Sequence, residues 1–491
     1  MKILTISTIT LAFLSASTVA SLAAEPAVAE IFSPGMVLQR DTPIPVWGSA
    51  PDGTEVTVSL GASKATAKAA GGKWRVNLPA EGANTSPRKM VVSFPEGKVI
   101  EIDDVLVGEV WLCAGQSNMD QRISKSPPRE LRDMPLVRQF ASGRGKDSAK
   151  GSQWKAATAE NINLLSMTAI YFGENLHREL NVPIGLILTA VSGTPIESWT
   201  PKEALLADTE IAALVERAGD NEVRRKLSEA RKKMREDSSQ GIDPELAKLI
   251  SLDKPGRLYS LHIEPTVPYA IRGVIWYQGE ANSKVAGNAQ LYGKYLGLLV
   301  TSLREAYEQK DLPFYLVQLP SIAEGNRKER NAPLVYEIVR EQQRRFVQST
   351  PHTGLAVTID VNEGLHPRNK NVMGDRLARV ALAETYNKKT EVPHAGPLLK
   401  SVQFEGGRAI CTFAHDEGGL VLKNAGASLF ELAGEDGVFH PATASPNDNR
   451  LVVESPQIKN AKAVRYAFKP SMPEVCLFGS GGIPASPFLY P

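Results

Sequence analysis

The sequence predicts an α/β domain built on a parallel sheet, flanked by an N-terminal β-sandwich and a small C-terminal β domain. Its 491 residues exceed what one ordinary hydrophobic core encloses, so two or three domains are expected. From about Val105 onward, continuous apolar runs alternate with helical stretches, a pattern typical of strands covered on both faces. The expected strands of this sheet are residues 110–113, 184–188, 273–276, 314–317 and 355–359.

Shorter strands are expected on either side of the α/β domain, which is assigned to residues 105–394. Residues 30–104 alternate apolar and polar positions between Gly and Pro turns, which predicts an antiparallel β-sandwich with Trp47 and Trp74 in its core. Short strands with glycine-rich turns return in residues 395–491 and predict a second β domain. Interleaved basic and acidic side chains in residues 201–249 favour a solvated helical segment over a binding patch.

The N-terminus has the pattern of a secretory signal peptide. In residues 1–24, Lys2 precedes an apolar, hydroxyl-rich run, and small residues follow at 21–23 and again at 27–29. This order predicts cleavage in that neighbourhood and a secreted or periplasmic protein. An uncleaved membrane anchor is the alternative, but Ser and Thr dilute the apolar run. Beyond the N-terminus, no stretch is long and apolar enough to predict a membrane span.

Charge and cysteine content narrow the function classes. With 56 basic and 54 acidic residues, the net charge of +2 gives no field that would attract a phosphate backbone, which argues against nucleic acid as a partner. The three cysteines Cys113, Cys411 and Cys476 are too few for a disulfide framework and allow at most one bridge. A Cys-x-x-Cys metal motif is absent from the sequence.

A serine stands where a catalytic nucleophile would be expected. Gly115-Gln116-Ser117-Asn118-Met119 directly follows the strand predicted to end near Cys113. A tight turn between a strand and a helix presents the hydroxyl at the open edge of the sheet, beside backbone N–H groups that can bind an oxyanion. The alternative is that Ser117 only caps the following helix.

A histidine in a polar loop is the candidate base. His366 is one of only seven histidines, and it follows the strand expected to end near Asp360. Glu363 and Asp360 precede it by three and six residues, and a carboxylate behind an imidazole fixes its tautomer and stabilises the imidazolium. The alternative is an ordinary surface histidine.

Two more loops follow predicted strands and could complete the site. Residues 192–199 contain Gly193, whose N–H could approach a ligand, and residues 276–282 contain the amide of Gln278. Both are candidates for the oxyanion hole beside the N–H of Ser117, although Gly193 could equally serve a turn. The candidate substrate-binding residues are Gln116, Glu280, Trp199 and Tyr277, and a packing role for the two aromatic residues is equally open.

Taken in order, the blocks GQSNM, SGTPIESW, IRGVIWYQGEAN and HPRNK resemble the sialate O-acetylesterase family. This is the carbohydrate-esterase branch of the SGNH hydrolases in which a Gln-Gly-Glu block replaces Gly-x-Asn-Asp. The resemblance implies a three-layer SGNH-type hydrolase domain that cleaves acetyl esters with a Ser-His-acid centre and no metal or organic cofactor. It implies that Ser117 is the nucleophile, His366 the base, and Gly193 and Gln278 oxyanion donors.

One position departs from the family pattern and leaves the acid open. Family members commonly carry an Asp shortly before the His-Pro pair, whereas Gly364 and Leu365 precede His366 here. Glu363, Asp360 and Glu280 are therefore the candidates, with a Ser-His dyad as a further alternative. The expected substrate is O-acetylated sialic acid. An acetyl xylan esterase and a non-catalytic secreted carbohydrate-binding protein are the rival functions, and the oligomeric state is not predicted.

Overall fold

The computed structural model describes residues 24–125, 133–141, 153–236, 243–252, 254–322, 335–388, 393–416, 418–423, 429–447, 449–472 and 474–491. The predicted signal peptide lies outside these ranges except for its last residue, Ala24. No helix in the described ranges is long and apolar enough to cross a membrane.

Two packed sheets form the N-terminal part, as the alternating sequence predicts. Its strands are β1 (Ala27–Val28), β2 (Val37–Gln39), β3 (Ile44–Ser49), β4 (Glu55–Leu60), β5 (Ser63–Lys68), β6 (Lys73–Leu78), β7 (Asn84–Ser93) and β8 (Val99–Gly115). β1, β3 and β6 make one sheet, while β2, β4, β5 and β7 join the sheet that contains β8. In β6 the side chains alternate strictly, so that Trp74 is buried between exposed Lys73 and Arg75. The indole N–H of Trp74 donates to the carbonyl oxygens of Ala27 and Ser49, both at 3.1 Å.

The boundary expected at residues 104 and 105 lies inside one continuous strand. β8 first pairs antiparallel with β7 and then runs into the central sheet, so no linker separates the first two domains. Asp104 adopts a left-handed backbone with φ of 59° at the change of partners. Its carboxylate pairs at 2.9 Å with Arg138, which also donates to the carbonyl oxygen of Gly35. The two domains therefore share a strand and a buried guanidinium.

The central sheet is parallel apart from one edge strand. Its further strands are β9 (Met134–Ala141), β10 (Gln153–Ala157), β11 (Ile184–Ala190), β12 (Gly273–Tyr277), β13 (Phe314–Val317) and β14 (Thr353–Ala356). The order is β10-β9-β11-β8-β12-β13-β14, with only β10 antiparallel to its neighbour. β9 and β11 lie on one side of β8, and β12, the next strand in the chain, lies on the other side. The connections to the two sides of the sheet therefore diverge at the carboxyl end of β8. Ligands of open α/β sheets bind at such a switch point.

Helices cover both faces of this sheet. They are α1 (Ser117–Asp120), α2 (Met167–Leu180), α3 (Lys202–Ala207), α4 (Thr209–Gly219), α5 (Asn221–Glu236), α6 (Pro244–Leu249), α7 (Ala286–Gln290), α8 (Tyr292–Ala306), α9 (Tyr336–Ser349) and α10 (Asn371–Glu384). α2 packs on α10 at one face, and α8 packs on α9 at the other. Gly374 permits the first crossing, because a Cβ there would lie 2.5 Å from the Cβ of Tyr171. The result is a three-layer α/β domain. The described part of the charged residues 201–249 forms α3 to α6, as the helical interpretation of this segment predicts.

Short antiparallel strands form the C-terminal part. They are β15 (Leu398–Glu405), β16 (Arg408–Ala414), β17 (Leu420–Leu422), β18 (Phe430–Ala433), β19 (Phe439–Asn447), β20 (Arg450–Glu454), β21 (Ala463–Tyr466), β22 (Leu477–Gly479) and β23 (Phe488–Tyr490). Arg340 of α9 is fully buried where this part meets the α/β domain, and it donates to the carbonyl oxygens of Lys469 and Pro470 at 2.8 and 3.1 Å. The three cysteines are buried and unbridged.

Candidate active site

The serine turn forms where β8 leaves the sheet. Gly115 has φ of 143°, and a Cβ on it would lie 2.2 Å from the carbonyl oxygen of Tyr277, so glycine is needed for this close approach. The N–H of Gln116 then donates to the same carbonyl at 3.0 Å. Ser117 is the first residue of α1, and the N-cap position belongs to Gln116. The helix-capping interpretation of Ser117 is therefore wrong.

The histidine loop returns from the edge of the sheet to this turn. His366 lies between β14 and α10, and its Nε2 is 2.9 Å from the Oγ of Ser117. The two residues are 249 positions apart in the chain, so only the fold brings them together. A hydroxyl within hydrogen-bonding distance of an imidazole nitrogen is the arrangement that activates a serine nucleophile.

The candidate acids differ in what they contact. Asp360 uses both oxygens to bind Arg376, at 2.6 and 2.7 Å. Glu363 accepts hydrogen bonds through Oε2 from the backbone N–H groups of Arg368 and Asn369, at 2.6 and 3.1 Å. Glu363 therefore shapes the loop that carries the histidine.

Glu280, the third candidate acid, belongs to a buried network that the sequence did not reveal. Its Oε1 accepts from the Nδ2 of Asn118, and its Oε2 has no hydrogen-bond partner among the described residues. Asn118 also accepts from the Nζ of Lys370 at 2.5 Å, and Lys370 is fully buried. Burial raises the pKa of the Glu280 carboxyl, opposed by its hydrogen bond from Asn118 and the charge of Lys370. Neither oxygen of Glu280 supports the histidine.

A cleft of about 530 Å³ opens over the serine and the histidine. Its lining residues are Gln116, Ser117, Asp120, Gln121, Arg122, Ser192, Gly193, Glu280, Ala281, Lys284, Leu365 and His366. The expected residues Gln116, Gly193 and Glu280 therefore reach the cleft wall. Gly193 has φ of 73°, and a Cβ there would have no atom within 4 Å, so its backbone faces open space. Arg122 and Lys284 add two cationic side chains that the sequence did not single out.

Gln278 is not part of the cleft wall, contrary to its expected role as an oxyanion donor. The side chain is fully buried, and its Nε2 lies 3.1 Å from the Oε1 of Gln116, 3.0 Å from the carbonyl oxygen of Thr194 and 2.8 Å from the Oδ1 of Asn282. Because these acceptors occupy the amide, Gln278 is placed to join loops rather than to meet a ligand. Asn282 continues this network to the buried carboxylate of Glu197 at 2.8 Å.

The two aromatic residues expected to contact substrate are core residues instead. Trp199 is fully buried and packs edge-on against Trp276, with ring centroids 6.2 Å apart. Tyr277 is also fully buried, since β12 is covered along its whole length. The packing alternative is therefore correct for both residues.

Comparison with known protein families gives a match that includes the cleft. A family model described as carbohydrate esterase, sialic acid-specific acetylesterase, matches residues 107–227 and 253–389, which is more than half of the chain. The chain belongs to this family of carbohydrate esterases. It is therefore a carboxylic ester hydrolase. All the cleft-lining residues fall within the matched segments.

Relatives of this esterase share most of its length. It is 28% identical to the sialate O-acetylesterase of Mus musculus, over 78% of this chain and 77% of the relative. It is 27% identical to the sialate O-acetylesterase of Homo sapiens, over 75% and 72% of the two chains. A crystal structure of a carbohydrate acetylesterase from Xanthomonas citri superposes with a TM-score of 0.78 at 29% identity, covering 95% of this chain and 99% of the other. The similarity thus extends through both flanking β domains.

The described part of the esterase contains no group of three or more His, Cys, Asp or Glu side chains that could hold a metal ion. The groups at the cleft that can take part in ester chemistry are a hydroxyl, an imidazole, backbone N–H groups and charged side chains.

Proposed function

We propose that this protein is a serine esterase that removes acetyl groups from O-acetylated sialic acid through an acetyl-enzyme intermediate on Ser117. The observation that carries the proposal is the 2.9 Å contact between the Nε2 of His366 and the Oγ of Ser117 in the wall of an open cleft. Membership in a carbohydrate esterase family supplies the class of ester.

In the first half of the reaction, His366 takes the hydroxyl proton while the Oγ of Ser117 attacks the acetyl carbonyl carbon. The carbonyl oxygen becomes an oxyanion, for which the N–H groups of Ser117 and Gly193 are the proposed donors. The protonated imidazole then gives its proton to the sugar oxygen, the ester bond breaks and the sugar leaves. In the second half, His366 activates a water molecule that releases acetate and restores the serine.

We assign the acid role to Glu363. Asp360 is held by Arg376 through both oxygens, and the hydrogen bond of Glu280 goes to Asn118. Glu363 is three residues before the histidine, and it holds the N–H groups of Arg368 and Asn369 just after it. A negative charge at this place would stabilise the imidazolium that forms in each half-reaction.

The preference for sialic acid rests on the names of the relatives and on the cationic side chains in the cleft wall. Sialic acid carries a carboxylate, whereas the xylose units of xylan are neutral. Arg122 is exposed and lines the cleft, and Lys284 lines it as well. A guanidinium binds a carboxylate with two parallel hydrogen bonds, which would orient the sugar beside the serine.

A substrate panel tests the proposal. Purified protein is supplied separately with 9-O-acetylated sialic acid, acetylated xylan and an aryl acetate, and acetate release is measured. We expect the highest kcat/KM on the sialic acid ester. Activity on acetylated xylan alone would contradict sialic acid as the substrate but would still agree with an esterase. Glycan binding without a phosphonate adduct on Ser117 would instead indicate a carbohydrate-binding protein.

The proposal includes export of the protein, with cleavage of the leader before Glu25. The hydroxyl of Ser49 donates to the carbonyl oxygen of Glu25 at 2.8 Å, and Ala27–Val28 pairs with β3. Removing these residues would expose an edge of the β-sandwich. N-terminal sequencing of protein exported by its host checks this, and a first residue beyond Glu25 would contradict it.

A further inference from the structure

We propose that Asn118 is the positioning residue that holds the serine turn and the histidine loop in register, with Lys370 and Glu280 fixing its amide. This inference rests on the proposed function of Ser117 and His366. It concerns three side chains to which neither the family pattern nor the sequence assigns this role.

Asn118 connects the loops that follow three different strands. It stands next to the nucleophile at the end of β8, and its Nδ2 donates to Glu280 in the loop after β12. The same Nδ2 donates at 3.0 Å to the carbonyl oxygen of Leu365, the residue directly before His366. Its Oδ1 accepts from Lys370, which occupies the N-cap position of α10. One amide therefore ties the serine to both sides of the histidine loop.

The surroundings permit only one orientation of this amide. Both hydrogens of Nδ2 are directed at acceptors, a carboxylate and a carbonyl, while Oδ1 faces an ammonium. A flipped amide would turn its oxygen toward two acceptors and its N–H groups toward the ammonium. The orientation is thus set by the donors and acceptors around the amide, and the flip would leave several buried groups without partners.

Burial strengthens these interactions. Asn118 and Lys370 are fully buried, and Glu280 is 4% exposed. The ammonium of Lys370 also lies 5.1 Å from the ring centre of Tyr277, so β12 contributes a second contact. Burial lowers the pKa of Lys370, and the charges of Glu280 and Glu363 oppose that shift. A buried carboxyl group and a buried amino group on either side of an amide form a network in which each member depends on the others.

The expected consequence is kinetic rather than a loss of substrate binding. The Nδ2 of Asn118 does not contact the cleft, but it holds the carbonyl next to His366. Removing it would let the imidazole move relative to the Oγ of Ser117. A displacement of about 1 Å at a reacting pair costs on the order of 10²-fold in rate.

The test uses steady-state kinetics on an aryl acetate with the full chain. We expect Asn118→Ala to lower kcat about 10- to 100-fold and to change KM by less than about twofold, because the contact positions the base. Asn175→Ala is the matched control, since Asn175 is also a buried asparagine whose side chain donates to a backbone carbonyl, that of Tyr171. It should lower stability and leave kcat unchanged. An unchanged kcat for Asn118→Ala would overturn the inference.

An isosteric pair of variants decides the question if Asn118→Ala does not fold. N118D places a carboxylate against Glu280 and should lower kcat more than Asn118→Ala does. Adding E280Q returns an amide donor to that contact and should restore stability, but the introduced carboxylate still has no N–H for the carbonyl oxygen of Leu365. N118D/E280Q should therefore fold and keep kcat at least about tenfold below wild type, and a wild-type kcat in this variant would contradict the positioning role. Full activity of Ser117→Ala would instead remove the proposed function itself, so the two failures are distinguishable.

Discussion

Asp360 binds the guanidinium of Arg376 through both carboxylate oxygens, although it stands at the position where the sequence suggests a catalytic acid. This pairing leaves Glu363 as the carboxylate assigned to His366.

We expect Glu363→Gln to lower kcat/KM at least about tenfold, because the amide oxygen can still accept from the loop N–H groups but the charge is lost. The kcat/KM of Asp360→Asn should stay within about threefold of the wild-type value, because this change weakens only the ion pair with Arg376. The measurement is aryl acetate hydrolysis, and the opposite ranking would return the acid role to Asp360.

The cationic side chain at the cleft predicts a substrate-dependent effect. Arg122→Ala should lower kcat/KM about 10- to 100-fold on 9-O-acetylated sialic acid, because a charge-assisted hydrogen bond contributes about 1.5–3 kcal/mol. It should leave an aryl acetate, which has no carboxylate, unaffected. Arg122→Lys keeps the charge, so its kcat/KM on the sialic acid ester should lie between the values for wild type and Arg122→Ala. An equal loss on both substrates would show that Arg122 supports the site rather than the sugar.

Adding a methyl group at Gly115 and at Gly193 should lower the free energy of unfolding by different amounts. Gly115→Ala should lower the free energy of unfolding by more than about 3 kcal/mol, because overpacking adds to backbone strain where the Cβ would lie 2.2 Å from the carbonyl oxygen of Tyr277. Gly193→Ala has open space around its Cβ and should cost only about 1 kcal/mol for its positive φ. Urea denaturation of both variants measures the difference, and equal costs would contradict the close approach of β8 and β12.

The sequence predicts the serine and histidine loops because both follow recognisable strands, and the fold then joins them. It does not predict which loop residues face the cleft. Tyr277 and Gln278 follow one another at the end of a strand, and only the covering helices show that both are buried. Lys370 stands in a polar run that suggests solvent exposure, yet the fold encloses it completely. Burial of a charge depends on tertiary contacts, which local composition does not encode.

The buried lysine predicts a pH dependence of stability. Burial lowers the pKa of Lys370 from its ordinary value of 10.5 to about 7 in the folded protein. Between these two values the unfolded chain binds more protons, so this residue makes stability rise with pH across that window. Lys370→Met removes the effect, and its free energy of unfolding relative to wild type should therefore fall as pH increases from neutrality toward 10. Chemical denaturation at several pH values measures it, and a constant difference would contradict a buried, titrating ammonium.

The assignment of Ser117 as nucleophile is tested most directly by locating the acetyl group during turnover. The esterase is mixed with an aryl acetate, quenched in acid and digested, and the peptides are analysed by mass spectrometry. Acetate release by Ser117→Ala is measured in parallel, with Ser192→Ala as the control because Ser192 lines the same cleft. We predict an acetyl group on Ser117 in the wild type and in Ser192→Ala, and neither label nor acetate release in Ser117→Ala. Acetylation of another residue, or wild-type acetate release by Ser117→Ala, would contradict the proposed mechanism.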